Sequence, residues 1–347
     1  MTKKITIFGL ILGGIIIVVL CGVLFFGSYL LKKNIQTTLD SYAQELQHSI
    51  PNLKIAPFSC SGFTSITCQS PQITFSHYIE LQDFEMNIQN LHSSNKLDFS
   101  FQSKLALFNN QNSQKTTNIN TLLNMFLISM SPNLNPSTLI TPNAFKCTIN
   151  NEFANQIIHN ITQCNFTAPH IQYLLQARTA QNLNTNLKQL KDVILESYEL
   201  YMQNPQEFKN NFKLQFDSAR LTLTPQNLKE SIFEQIKSQD TNFTPDLYAK
   251  SIEFSKNIAL YMLGISFNRS AFPFKQEILQ SIDGIANMLN AQNNGIEYTL
   301  SNTSGQFISL LELESMLEKY NLSNLSLQYK ELHKEPKEPH NEPRAAQ

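Results

Sequence analysis

Hydrophobic positions along this chain change period several times, and the first change is the sharpest. From Ile5 to Leu31 no charged residue occurs, with Lys3 and Lys4 before the run and Lys32 and Lys33 after it. At about 1.5 Å of rise per residue such a run crosses the roughly 30 Å hydrocarbon core with length to spare, so a transmembrane helix is expected. A cleaved signal would need a shorter apolar stretch and a small-x-small site, and bulky Leu20 before Cys21 does not suit a lipoprotein site. Gly9 and Gly13 fall in Gly-x-x-x-Gly spacing, a candidate helix-packing face for a homodimer through the span.

Beyond the span, Ile35, Leu39, Tyr42 and Leu46 keep helical spacing as far as Pro51. The period then falls to two: Ile79 and Leu81, then Phe84, Met86 and Ile88, then Leu97, Phe99 and Phe101, then Leu105 and Leu107. That alternation predicts antiparallel strands with one apolar face, and the phase slip at Gln82 and Asp83 fits a bulge. Ile119 to Met130 predicts a short helix before Pro132. Leu183, Leu187, Leu190, Ile194, Tyr198 and Tyr201 predict a longer one ended or capped by Pro205. Strand pattern returns at Phe212, Leu214 and Phe216 and, after a turn, at Leu221 and Leu223.

Thr224-Pro225 and Thr244-Pro245 each place a capping hydroxyl before a first-turn proline. They are expected to start helices through Leu228, Ile232 and Ile236, and through Phe254, Ile258, Tyr261 and Ile265. The run Ile258 to Ile265 is too short to cross a membrane and reads as a buried core helix. A further helix carries Ile278, Ile282, Ile285 and Leu289. A strand follows at Ile296, Tyr298 and Leu300, then a helical face at Leu310, Leu313, Leu317 and Tyr320, then a strand from Leu325 to Tyr329.

Together these elements predict an α+β fold: an N-terminal transmembrane helix, then an exported domain of antiparallel strands packed with amphipathic helices. The expected parts are an anchor over 1–33, a juxtamembrane helix over 34–50, a cysteine-stapled unit over 51–135 and a second one with a helical section over 136–330. The tail, 331–347, repeats Glu-Pro and favours extended, solvated chain without order.

Four of the five cysteines lie beyond the apolar run, as the sequence-local pairs Cys60 with Cys68 and Cys147 with Cys164. An even count in an exported domain reads as disulfides; four cysteines allow three connectivities, of which local pairing is the simplest. The alternative is four reduced, buried thiols in a cytosolic domain. The pairs also mark an internal duplication. Phe58, Cys60, Ile66, Thr67, Cys68, Pro71, Ile73 and Phe75 match Phe145, Cys147, Ile161, Thr162, Cys164, Pro169, Ile171 and Tyr173 in order. Both copies are expected to be strand-turn-strand elements with the proline at the start of a strand.

Candidate chemistry changes this picture little. The chain has no nucleophile elbow, zinc-protease motif, phosphate loop or dinucleotide fingerprint. His159 and His170 flank Cys164 with only Glu152 near them, and Glu80, Asp83 and Glu85 alternate with apolar residues as a solvated strand face would. No catalytic, cofactor or metal site is therefore assigned. A formal net charge of -1 without a basic block argues against nucleic acid as a partner. The sequons at Asn160, Asn242 and Asn268 are no more than an Asn-rich chain produces by chance, and abundant Asn and Gln with scarce Gly suit an AT-rich bacterial genome.

The phrases PFSCSGFTSITC and IELQDFEMNI resemble an uncharacterised group of single-span, N-terminally anchored envelope proteins of AT-rich bacteria. The resemblance supports export and implies no established activity. Two lysines on each side of the span leave its orientation open, and the paired cysteines decide for a single pass through the inner membrane with the N-terminus cytoplasmic and the domain periplasmic. The function expected is a non-enzymatic envelope protein that binds a protein partner or supports envelope assembly. The alternative is a carrier or sensor of a lipid or other apolar ligand, with the apolar sheet face and the helices around Tyr261 enclosing a groove.

Overall fold

The computed structural model describes residues 28–62, 65–75, 79–91, 93–107, 121–131, 133–182, 188–268, 274–312 and 324–333. Its centre is an antiparallel sheet of twelve strands that follows the chain almost without crossing. The strands are β1 (Leu53–Ile55), β2 (Ser59–Gly62), β3 (Ile66–Phe75), β4 (Ile79–Gln89), β5 (Lys96–Leu107) and β6 (Ala144–Ala154). They continue as β7 (Ile157–Thr167), β8 (Ile171–Asn182), β9 (Lys213–Pro225), β10 (Gly295–Asn302), β11 (Ile308–Ser309) and β12 (Leu325–Leu332). The order is β1-β3-β4-β5-β6-β7-β8-β9-β10-β12, with β2 on β3 and β11 on β9.

Local chemistry sets this meander. Asn155 and Gln156, at φ 53° and 64°, form the two-residue turn between β6 and β7. Positive φ at both central positions gives that turn the twist its strands need. The phase slip in β4 is a bulge, with the register against β5 shifting between Gln82 and Glu85 and Asp83 at φ 52°. The same device replaces the turn expected between Phe216 and Leu221. There β9 runs unbroken, and its register against β8 shifts at Arg178 and Thr179. A bulge exchanges the two faces of a strand as a turn would, so periodicity alone did not separate them.

One face of the sheet is covered by helices and carries two apolar cores. Over the first, α1 (Ser28–Ser49) lays Ile35, Leu39 and Ala43 on Leu53, Ile66, Met86 and Ile88, joined by Leu190 and Val193 of α3 (Leu190–Gln203) and Phe208 of α4 (Pro205–Asn211). Polar positions of α1 also serve the strands: Phe58 N donates to Asp40 Oδ1 at 2.9 Å and Ile55 N to Gln47 Oε1 at 3.0 Å. Over the second core, α2 (Thr121–Met130), α5 (Leu228–Lys237), α6 (Pro245–Asn268) and α7 (Lys275–Leu289) cover Tyr173, Leu223 and Ile296. On the opposite face Gln69 and Gln102 both donate to the Glu85 carboxylate, at 2.8 and 3.2 Å, so that surface is solvated.

The expected fold class, α+β headed by a transmembrane helix, is corrected in its headline element. Among the described residues no helix is long and apolar enough to cross a membrane. Most of the run from Ile5 to Leu31, with Gly9 and Gly13, lies outside the described residues. Its last four residues open α1, which takes in Lys32, Lys33, Asp40 and Glu45 and turns its apolar side to the sheet. The fold is thus a single large antiparallel sheet with helices on one face. β5 pairs with β6 from Lys96 to Lys104, so the sheet runs unbroken from the first cysteine unit into the second.

The helix starts divide. Thr244 caps α6, its Oγ1 accepting from Leu247 N at 3.3 Å. Pro225 instead closes β9, and α5 begins after Asn227, at φ 55°. Pro205 ends α3 and also opens α4, where the Asn204 side chain accepts from Glu207 N. Of the helical face from Leu310 to Tyr320, residues 313–320 lie outside the described residues.

Candidate protein-binding face

The cysteine positions come together across neighbouring strands. Cys60 of β2 stands opposite Cys68 of β3, and Cys147 of β6 opposite Cys164 of β7, each pair joined as a disulfide with its Cα atoms 4.0 Å apart. All four are buried on the covered face. The two cysteine hairpins are alike, but the likeness stops at the second cysteine. In the first copy the chain continues along β3 through Ile73 and Phe75, whereas in the second it turns after Thr167 and places Ile171 and Tyr173 on β8. Pro169 precedes its strand. Pro71 lies inside β3, where β3 passes from pairing with β1 to pairing with β2, so its missing N–H interrupts no ladder on that side.

The remaining candidate side chains have local partners. Asn160 is buried, and its amide donates to Asn151 Oδ1 at 2.8 Å while accepting from Thr162 Oγ1. Asn151 passes the chain on to the Leu97 carbonyl at 2.7 Å. Such a satisfied ladder fixes strand register in an otherwise apolar layer. His170 Nδ1 lies 3.0 Å from Ser231 Oγ, and His159 faces Glu152 across the β6–β7 pair. Asp83 pairs with Lys104 at 2.9 Å. Among the described residues no group of three or more His, Cys, Asp and Glu side chains is placed to hold a metal ion.

The feature that stands apart is α6. Its core side is narrow: Tyr248, Ile252, Ser255 and Ala259 are buried, and the small serine and alanine let the helix lie close. Tyr248 donates its phenol to the Leu289 carbonyl at 2.8 Å, and burial, aided by nearby Glu230, holds that phenol well above its ordinary pKa. Lys256 ties α6 to α7 through Asp283 at 2.8 Å, and this hydrogen bond raises the ammonium pKa.

On the other side of α6, Leu247, Phe254, Tyr261 and Ile265 fall on one stripe and are 44%, 60%, 71% and 40% exposed. Ile258 lies between them, half-buried. Ile128 of α2, which packs against α6, is 53% exposed. This overturns the expectation that Ile258 to Ile265 forms a buried core helix. The helix is apolar on two faces, and the second core, with α2 and α7, covers only one of them. The exposed side chains leave on the order of 500 Å² of apolar surface in water, near the upper end of the largest patch on a typical monomer. At about 25 cal/mol per Å², covering it is worth roughly 12 kcal/mol before the costs of association.

Sequence reasoning named Phe254, Ile258, Tyr261 and Ile265 as one helical face and assigned that face to the core. The signal that distinguishes it is the second stripe, Tyr248, Ile252, Ser255 and Ala259, which is apolar or small throughout and competes for burial. Comparison with known proteins returns no matching family model and no matching curated protein.

Proposed function

We propose that this protein is a non-enzymatic component of the bacterial envelope whose sheet-and-helix domain binds a protein partner through the exposed face of α6. The observation that carries this reading is the stripe Leu247, Phe254, Tyr261 and Ile265, exposed on a helix whose other side is buried in the second core. Two disulfides support an oxidising compartment, which for a bacterial chain is the periplasm. The test is a photo-crosslinker in place of Tyr261, with products recovered from native membranes. Protein adducts are expected there, and their loss is expected when Phe254 becomes Glu.

A second reading, a carrier of an apolar ligand, draws on a different place. Between the two cores the covered face holds Thr162, Ala177 and Ala219 in one row with Leu300 and Leu327, all half-buried. Small residues in such a row leave a shallow trough. Lipid that remains with the purified protein in native mass spectrometry, and leaves on Ala219→Phe, would favour it.

A further inference from the structure

We propose that the α6 face docks a second copy of this chain, with α6 lying antiparallel on α6 of the partner subunit. This rests on the protein-binding reading above and names the partner.

The stripe repeats in sevens. Leu247, Phe254 and Tyr261 stand seven apart, and Ser251, Ile258 and Ile265 each follow one of them by four. This is the two-position seam by which helices pair along their length. Run antiparallel, the seam fits itself: Ile258 meets Phe254 of the partner subunit, Ile265 meets Leu247 of the partner subunit, and Ser251 meets Tyr261 of the partner subunit. Every layer then sets a large side chain against a smaller or branched one. A parallel arrangement would set Tyr261 on Tyr261 of the partner subunit and Phe254 on Phe254 of the partner subunit. The antiparallel two-fold avoids both.

The flanks agree. Along the edge of the seam Lys250 is the one charged residue, and the antiparallel register brings it opposite Gly264 of the partner subunit. Nothing lies within 4 Å of where a side chain on Gly264 would begin, which leaves room for the lysine stem. At the middle of the same edge Asn257 meets Asn257 of the partner subunit, and two amides can exchange hydrogen bonds. Lys256 points away from the seam, to Asp283. A closed two-fold contact of this kind is isologous, so each exposed residue is covered once.

Size sets the strength. With the flanking stems and Ile128, each copy offers roughly 600 Å², and about 1,200 Å² in total is the lower bound of the standard interface. A dimer with a roughly micromolar dissociation constant is expected.

The experiment uses the full chain with Cys21→Ser, which removes the one cysteine outside the two disulfides. Under mild oxidation Asn257→Cys is expected to form a covalent dimer at least ten times faster than Ala249→Cys, an exposed site off the seam. Adding Phe254→Glu should abolish that difference and weaken dimerisation by at least tenfold in sedimentation, with the thermal midpoint unchanged at protein concentrations well below the dimer dissociation constant. Equal crosslinking at both positions overturns the dimer. If Tyr261 crosslinkers then join α6 to a different protein, the protein-binding reading stands without the dimer. If they join it to no protein, both fall.

Discussion

α6 and α7 lie side by side over the same core, and they dispose of their apolar residues in different ways. α7 buries Ile282, Ile285, Met288 and Leu289, and it admits Tyr329 against Gly284, where a side chain would collide with the phenol. Its apolar residues are consumed by the fold. α6 spends a narrow stripe on the same core and holds Phe254 and Tyr261 out in water. Packing explains the first helix completely. The second keeps a surplus that only association would use.

The sharpest way to break this contrast is to make the same change on both helices. Ile282→Ala removes a fully buried side chain and should cost about 3–4 kcal/mol in urea denaturation. Ile265→Ala, 40% exposed, should cost the isolated domain less than about 0.5 kcal/mol. Similar losses at both positions would mean that α6 is an ordinary core helix. Next in size are the disulfides. Opening Cys147–Cys164, which closes the longer loop, should cost about 3.2 kcal/mol, and opening Cys60–Cys68 about 2.6 kcal/mol, by chain entropy. Neither change should alter crosslinking from Tyr261 in protein that remains folded.

How α6 is held can be checked by pH. The Tyr248 and Tyr329 phenols are both raised above 10.0 chiefly by burial, so both remain protonated in the folded state while the unfolded chain ionises. Stability from this source is therefore complete below pH 10 and declines as pH rises above it. Tyr248→Phe should reduce the slope of that decline in urea midpoints measured between about pH 9 and 11. It should also cost about 1 kcal/mol at neutral pH through the lost bond to Leu289. The smallest effect expected is at the cap: Thr244→Ala should remove about 0.5–1 kcal/mol, with fraying limited to the first turn of α6 by hydrogen exchange.

Much of the sheet was legible in the sequence because alternation and bulges leave local marks. The strands from Ile79 to Leu107, the slip at Gln82 and Asp83, and the strand at Ile296 to Leu300 stand where their patterns put them. Failures came where two physical causes leave the same mark. A bulge in β9 mimicked a turn. Thr224-Pro225 carries the letters of a cap, yet its proline finishes a strand. Pro-x-Ile-x-aromatic recurs after both cysteine hairpins, but the chain continues in one copy and turns in the other. The exposed face of α6 was assigned to the core for the same kind of reason. Phe254, Ile258, Tyr261 and Ile265 make a better apolar stripe than Tyr248, Ile252, Ser255 and Ala259, and only the position of α6 against α2 and α7 decides which of the two is covered.

The most direct measurement places the same photo-crosslinker at Tyr261 on α6 and at Gln280, an exposed position on α7, in the full chain within native membranes. Protein adducts from Tyr261, absent or far weaker from Gln280, are the predicted result. Equal yields from the two positions, or adducts from Tyr261 with lipid alone, would contradict the claim that the exposed face of α6 is a protein-binding surface.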